Sequence, residues 1–350
     1  MKKILSFMIA AMMAFTCLGG AALAEDKIDV VVTIFPVYDW VREIVADDAS
    51  HVELDLLLDS GVDLHSYQPT ASDILKISTA DVFIYVGGES DEWVEDVLKS
   101  AMNPHLTAID LLEALGDDVK PEEIVEGMEH EHDHEHEHEE SGEDHDHESE
   151  EHSDEHEHEH EGEEHADHDH EGELDEHVWL SLRNAQKLVT CIADTMAGLD
   201  ADHTEHYQAN AAAYIAKLAA LDVQYQAAVD AAACKTVLFG DRFPFRYLAD
   251  DYGLDYYAAF SGCSAETEAS FNTIIFLAQK VDELGLPAVL TIENTKSRIA
   301  ETIVQTTKAK DQKILVMDSM QGTTAADVAA GVTYLTVMEK NLTILQEALD

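Results

Sequence analysis

Short β-branched runs recur along this chain, each followed by a stretch of helical period, and that alternation limits the fold more than any other feature. Residues 29–35 (DVVVTIF) are apolar and β-branched without a helical period, which predicts a buried strand. Pro36 then opens a helix running to Ala46, with Val37, Trp40, Val41, Ile44 and Val45 on one face. Further strands are predicted at 52–58, 81–86 and 106–109, with helices at 72–77 and 89–100. A second series begins later. Its strands fall at 236–240, 254–259, 288–293 and 314–317, and its helices at 243–251, 268–284, 297–308 and 332–349. Alternation of this kind makes parallel sheets covered by helices, an α/β fold.

Two helical stretches separate the series. The first covers 183–199. The second, 202–232, repeats Tyr207, Ala211, Tyr214, Leu218, Leu221 and Tyr225 at three- and four-residue spacing. At ~1.5 Å per residue it would reach about 45 Å, enough to span two lobes. The expected organisation is therefore two α/β lobes joined by one long helix. The first lobe covers 25–182, linking helices 183–233, and the second lobe 234–350.

One segment cannot belong to either core. Between Glu129 and Glu171 lie 23 Asp or Glu and 14 His, with no Lys or Arg. Without apolar residues it cannot offset its ordering entropy, so a disordered insert is expected at about 120–173. In extended chain, alternating imidazoles such as His156, His158 and His160 can share an ion, while the carboxylates concentrate cations. This predicts a collector or sensor of metal ions. Capture should weaken below about pH 6.5, where imidazoles protonate. The formal net charge of −53 repels phosphates and argues against nucleic-acid binding.

The chain starts Met1-Lys2-Lys3, runs apolar from Ile4 to Leu18, and reaches Ala22-Leu23-Ala24 before charge returns. This is the pattern of a secretory signal peptide at 1–24, and the apolar run is shorter than the roughly 20 residues of a membrane span. Export to the periplasm or cell surface is expected, with lipidation at Cys17 as a second route to a membrane tether. Cys191, Cys234 and Cys263 remain, of which Cys234 and Cys263 are the expected pair in an oxidising compartment.

Sites in open parallel sheets lie beyond the carboxyl ends of strands. His65, His177 and Asp318 occupy such places, and imidazole and carboxylate ligands suit Zn²⁺ or Mn²⁺. The segments around them, DLHSYQPTASD, DEHVWL and MDSMQG, resemble those of the zinc- and manganese-binding solute-binding proteins of ABC transporters, called cluster A-I. The resemblance extends to the TIFPVYDW opening, the long middle helix and Tyr252-Gly253-Leu254. The acidic His-rich run before His177 is similar to that of the zinc-importing members.

The resemblance implies two (β/α)4 lobes joined by a rigid helix. It also implies a metal cleft with His65, His177 and Asp318 as ligands, and delivery of Zn²⁺, or Mn²⁺, to a membrane permease. One position departs from the family pattern: Arg242 stands where zinc members carry a third histidine, and arginine cannot ligate a metal. Asp241 is the nearest substitute; Cys263, Glu268, Glu293 and water are the others. Arg242 could instead hold a carboxylate behind the ligands. The expected protein is a monomeric binding protein and not an enzyme. No His-Glu-x-x-His helix, nucleophile elbow or phosphate loop marks a hydrolase. An extracellular metal buffer or adhesin is the alternative.

Overall fold

The computed structural model describes residues 27–46, 49–128, 173–264 and 268–350. The expected signal segment, Cys17 and residues 129–172 of the His-rich run lie outside the described residues. Among the described residues, no helix is long and apolar enough to cross a membrane.

The first lobe alternates β1 (Ile28–Val32), α1 (Phe35–Val45), β2 (Val52–Leu56), α2 (Ala71–Thr79), β3 (Val82–Tyr85), α3 (Trp93–Lys99), β4 (Thr107–Asp110) and α4 (Leu111–Leu115). Its sheet is wholly parallel in the order β2-β1-β3-β4. The second lobe repeats the scheme with β5 (Thr236–Phe243), α7 (Arg246–Tyr252), β6 (Asp255–Ser261), α8 (Phe271–Leu284), β7 (Ala288–Ile292), α9 (Arg298–Thr306), β8 (Lys313–Met317), α10 (Ala325–Ala329) and α11 (Tyr334–Leu349). Its order, β6-β5-β7-β8, is the same topology. Between the lobes run α5 (Leu182–Leu199) and α6 (Thr204–Ala231).

The local causes are legible. Pro36 sits in the first turn of α1, whose buried side includes Val37, Trp40, Val41, Ile44 and Val45. Ser181 caps α5 by accepting the Asn184 amide, and Thr70 closes a capping box with Asp73 on α2. The 28 residues of α6, about 42 Å at ~1.5 Å each, bury Tyr207, Ala211, Tyr214, Leu218, Leu221, Tyr225 and Val229. That stripe packs α6 on α5, on α1 of the first lobe and on α11 of the second. The Tyr225 hydroxyl, carried into the core with its ring, donates to Met338 O at 2.6 Å.

The halves share one core. A single apolar cluster runs from Val30 and Trp40 through Leu188 and Leu218 to Phe239 and Met338, and a smaller one fills the outer face of the second sheet. Polar ties cross between the lobes as well. Asp39 Oδ2 accepts the Tyr334 amide at 2.8 Å, Trp179 Nε1 donates to Ser319 O at 2.9 Å, and the Tyr334 hydroxyl donates to Trp179 O at 2.6 Å. The carboxyl ends of both sheets therefore border a common cleft.

Two expectations are corrected. The insert does not begin at residue 120. Residues 120–128 are packed: Pro121 bridges Leu174, the Glu122 amide donates to Glu173 O, and Met128 is buried. Apolar Val119, Val125 and Met128 give this flank a core to join, which the His-rich run lacks. Cys234 and Cys263 are also unpaired; both, with Cys191, are free thiols. Cys234 precedes β5 and Cys263 follows β6, so they mark opposite ends of parallel strands, roughly 20 Å apart by strand rise.

Candidate metal centre

His65 lies in a one-turn 3-10 helix, Leu64–Ser66, beyond β2. Asp63 caps that turn by accepting the His65 amide at 3.0 Å. The imidazole is oriented from behind: Nδ1 is 2.8 Å from Ser90 Oγ and 3.3 Å from Glu176 Oε2. Gly88 makes room for that carboxylate, since a Cβ there would stand 2.5 Å from Glu176 Oε1. His65 Nε2 is thereby turned into the cleft.

His177 is fully buried and held the same way. Asp175 Oδ1 accepts the His177 amide at 2.9 Å and lies 3.1 Å from its Nδ1. Carboxylates behind imidazoles fix ring orientation and raise ligand basicity, as in metal sites generally. Its Nε2 faces that of His65 at 3.2 Å. Two nitrogens bound tetrahedrally to one zinc at ~2.0–2.1 Å would be separated by roughly 3.3 Å. The pair is thus already at ligand spacing.

The third member is Cys263, beyond β6 of the second lobe. One donor atom from each of His65, His177 and Cys263 lies within 4.8 Å of the others. Gly262 permits the approach, because a Cβ there would meet His177 Cε1 and Phe243 O at 3.0 Å. The Cys263 amide donates to Glu122 Oε1 at 2.9 Å, so the packed flank of the insert fixes the backbone of this thiol.

Charge around the trio suits a cation. Burial and the neighbouring Glu122, Asp175 and Glu176 push the Cys263 thiol well above its ordinary range. Burial would raise Glu176 too, but the hydrogen bond and charge of His65 outweigh it and hold the carboxyl below its usual value. A divalent ion would compensate this negative ring and draw the proton off the thiol.

Among the described residues, the other expected ligands do not join the trio's group of donor atoms within 4.8 Å. Asp318 follows β8 and borders the cleft, but its Oδ1 accepts the Met320 amide at 2.9 Å. Burial raises its carboxyl, and its charge together with burial raises that of Glu293. Glu293 itself gathers the amides of Ser319, Gln321 and Gly322. Asp241 turns back into β5, accepting the Arg242 amide at 2.9 Å and the Ile292 amide at 3.4 Å. Glu268 joins no cluster of ligand atoms among the described residues. Arg242 does hold a carboxylate: it pairs across the cleft with Asp63, the cap of the His65 turn. That pairing and the amide bond from His65 outweigh burial and lower the Asp63 carboxyl. Sequence reasoning named Cys263 only among several alternatives. Its signal is a ligand-type residue shortly beyond the carboxyl end of a strand.

Comparison with known proteins identifies the family of the whole chain. The profile of the family described as zinc-uptake complex component A, periplasmic (ZnuA), matches residues 30–348.

This chain belongs to the ZnuA family.

Among relatives, it is 32% identical over 334 residues to the zinc-binding protein AdcA of Streptococcus pyogenes serotype M3, covering 94% of this chain and 57% of AdcA. The chain thus spans little more than half the length of that relative. It is 30% identical to the high-affinity zinc uptake system protein ZnuA of Bacillus subtilis, covering 95% of this chain and 90% of that protein. The Zn(II)-bound ZnuA-like domain of Streptococcus pneumoniae AdcA superposes with TM-score 0.65 at 28% identity, over 93% of this chain and 99% of that one. The metal-dependent lipoprotein YcdH of Bacillus subtilis gives TM-score 0.67 at 27% identity, over 92% and 99%. Two parallel-sheet lobes are common to this ZnuA-family chain and those structures.

Proposed function

We propose that this chain is the extracytoplasmic substrate-binding component of an ABC metal importer. It captures one Zn²⁺ between its lobes and delivers the ion to a membrane permease. The observation that carries the reading is the facing pair of Nε2 atoms at 3.2 Å, with a thiol in reach. His65, His177 and Cys263 would bind the ion, with Asp318 or water completing the shell. Two imidazoles and a thiolate are softer than the oxygen-rich sets that suit Mn²⁺, which favours zinc. Membership in a family of zinc-uptake components supports a binding protein over an enzyme. The zinc-named relatives support the cargo. Glu176 and Asp175 are tied up behind the histidines, so neither is free to act as a hydrolytic base.

Calorimetric titration with Zn²⁺ tests this. The intact chain should bind one ion tightly, and His65→Ala or His177→Ala should abolish that phase. Unchanged tight binding in both variants would place the site elsewhere.

A further inference from the structure

A second convergence of ligand-type side chains lies at the far end of the first lobe. His51 sits in the turn just before β2, whereas His65 follows β2, so the two mark opposite ends of the sheet. There Asp200 Oδ2 lies 2.7 Å from His203 Nδ1 and 3.5 Å from His51 Nε2, and accepts the Tyr207 hydroxyl at 2.9 Å. The Tyr207 oxygen is also 2.8 Å from His51 Nε2. The two imidazoles stack face to face, centroids 3.8 Å apart and planes within 6°. His51 is buried, while Asp200 and His203 remain partly open to solvent.

We propose that His51, Asp200 and His203 form a second divalent-metal site, separate from the cleft and selective for ions such as Zn²⁺ or Co²⁺ that take two imidazoles and a carboxylate. One donor atom from each residue already lies within 4.8 Å of the others. Such a set leaves a fourth position for water, and solvent reaches it past His203. An ion entering here binds His203 through Nδ1. Tyr207 is the positioning residue behind Asp200.

The ligands come from two parts of the chain. Asp200 and His203 flank the turn between α5 and α6, and His51 belongs to the edge of the first sheet. A bound ion would clip the helical pair to that edge. A merely hydrogen-bonded staple accounts for the contacts one by one, and differs in what it does with metal.

Crystals of the full chain grown with excess Zn²⁺ decide between them by anomalous scattering. The proposal predicts a peak at ~2.0–2.2 Å from His51 Nε2, His203 Nδ1 and an Asp200 oxygen, in addition to one in the cleft. The peak should vanish in His203→Ala and in the isosteric Asp200→Asn, leaving the cleft peak intact. Tyr207→Phe, which keeps the ring packing, should weaken the site roughly 10–100-fold as loss of an outer-shell partner does. A filled cleft with no peak at the cluster overturns the proposal, as does a peak that persists in both ligand variants. A peak at the cluster with the cleft empty would instead refute the cleft reading and leave this one standing.

Discussion

Arg242 brings a permanent positive charge to the wall of the metal cleft. As a replacement for a histidine it reads as a lost ligand. In the fold it reaches from β5 across the cleft to Asp63, whose other oxygen accepts the His65 amide. It therefore positions a ligand instead of being one. Arg242→Ala should lower zinc affinity roughly 10–100-fold, in the range of an outer-shell loss. The half-buried pair would also be lost, at a cost of about 2 kcal/mol of stability. Calorimetry and urea unfolding check the two parts; unchanged affinity would show that Asp63 holds the turn without help. His65 and His177 are legible in one dimension because each is the histidine of a family-like segment, DLHSYQPTASD and DEHVWL. Cys263 was not singled out, since its approach to His177 depends on Gly262 and on the Glu122 flank, both tertiary facts.

Elements with a full period were legible, and short ones were not. Six of the seven buried residues of the α6 stripe are legible from its period, Val229 being the one missed, whereas α4 and α10, five residues each, are too short to show a period. β5 runs on to Phe243 instead of ending near Gly240. Pro244 disfavours helical backbone at Phe243, which delays the next helix. Gly240 lets β5 pass against α9, because a Cβ there would be 2.6 Å from Ala300 Cα.

The contact of α1 with α11 carries a pH signature. Burial pushes the Asp39 carboxyl up to about 6, against the Tyr334 amide and Arg42, which lower it. Between the unfolded value near 4 and the folded value, the native state holds a proton that the unfolded chain lacks. Asp39 is thus a burden above pH 6 that is relieved as pH falls. Relative to Asp39→Asn, which keeps an acceptor for the Tyr334 amide, the wild type should gain stability between about pH 7 and about pH 5. Urea midpoints of the two proteins measure it; parallel curves would contradict the assignment.

At the scale of the molecule, the alternation of strands and helices was enough to give two parallel lobes and the helix between them. What it could not give is how the lobes meet, because Asp39–Tyr334, Trp179–Ser319 and Arg242–Asp63 join residues far apart in sequence. From composition alone, the His-rich run is expected to collect metal ions. Deleting 129–171 should remove several weak zinc equivalents from a calorimetric titration and leave the tight one. An intact chain with no weak equivalents would contradict the collector role.

The most direct test of zinc held by two histidines and a cysteine is X-ray absorption at the zinc edge with one ion per chain. A single sulfur at about 2.3 Å beside nitrogen and oxygen at about 2.0–2.1 Å is the predicted shell. A shell of nitrogen and oxygen alone would contradict it and remove Cys263 from the ligand set.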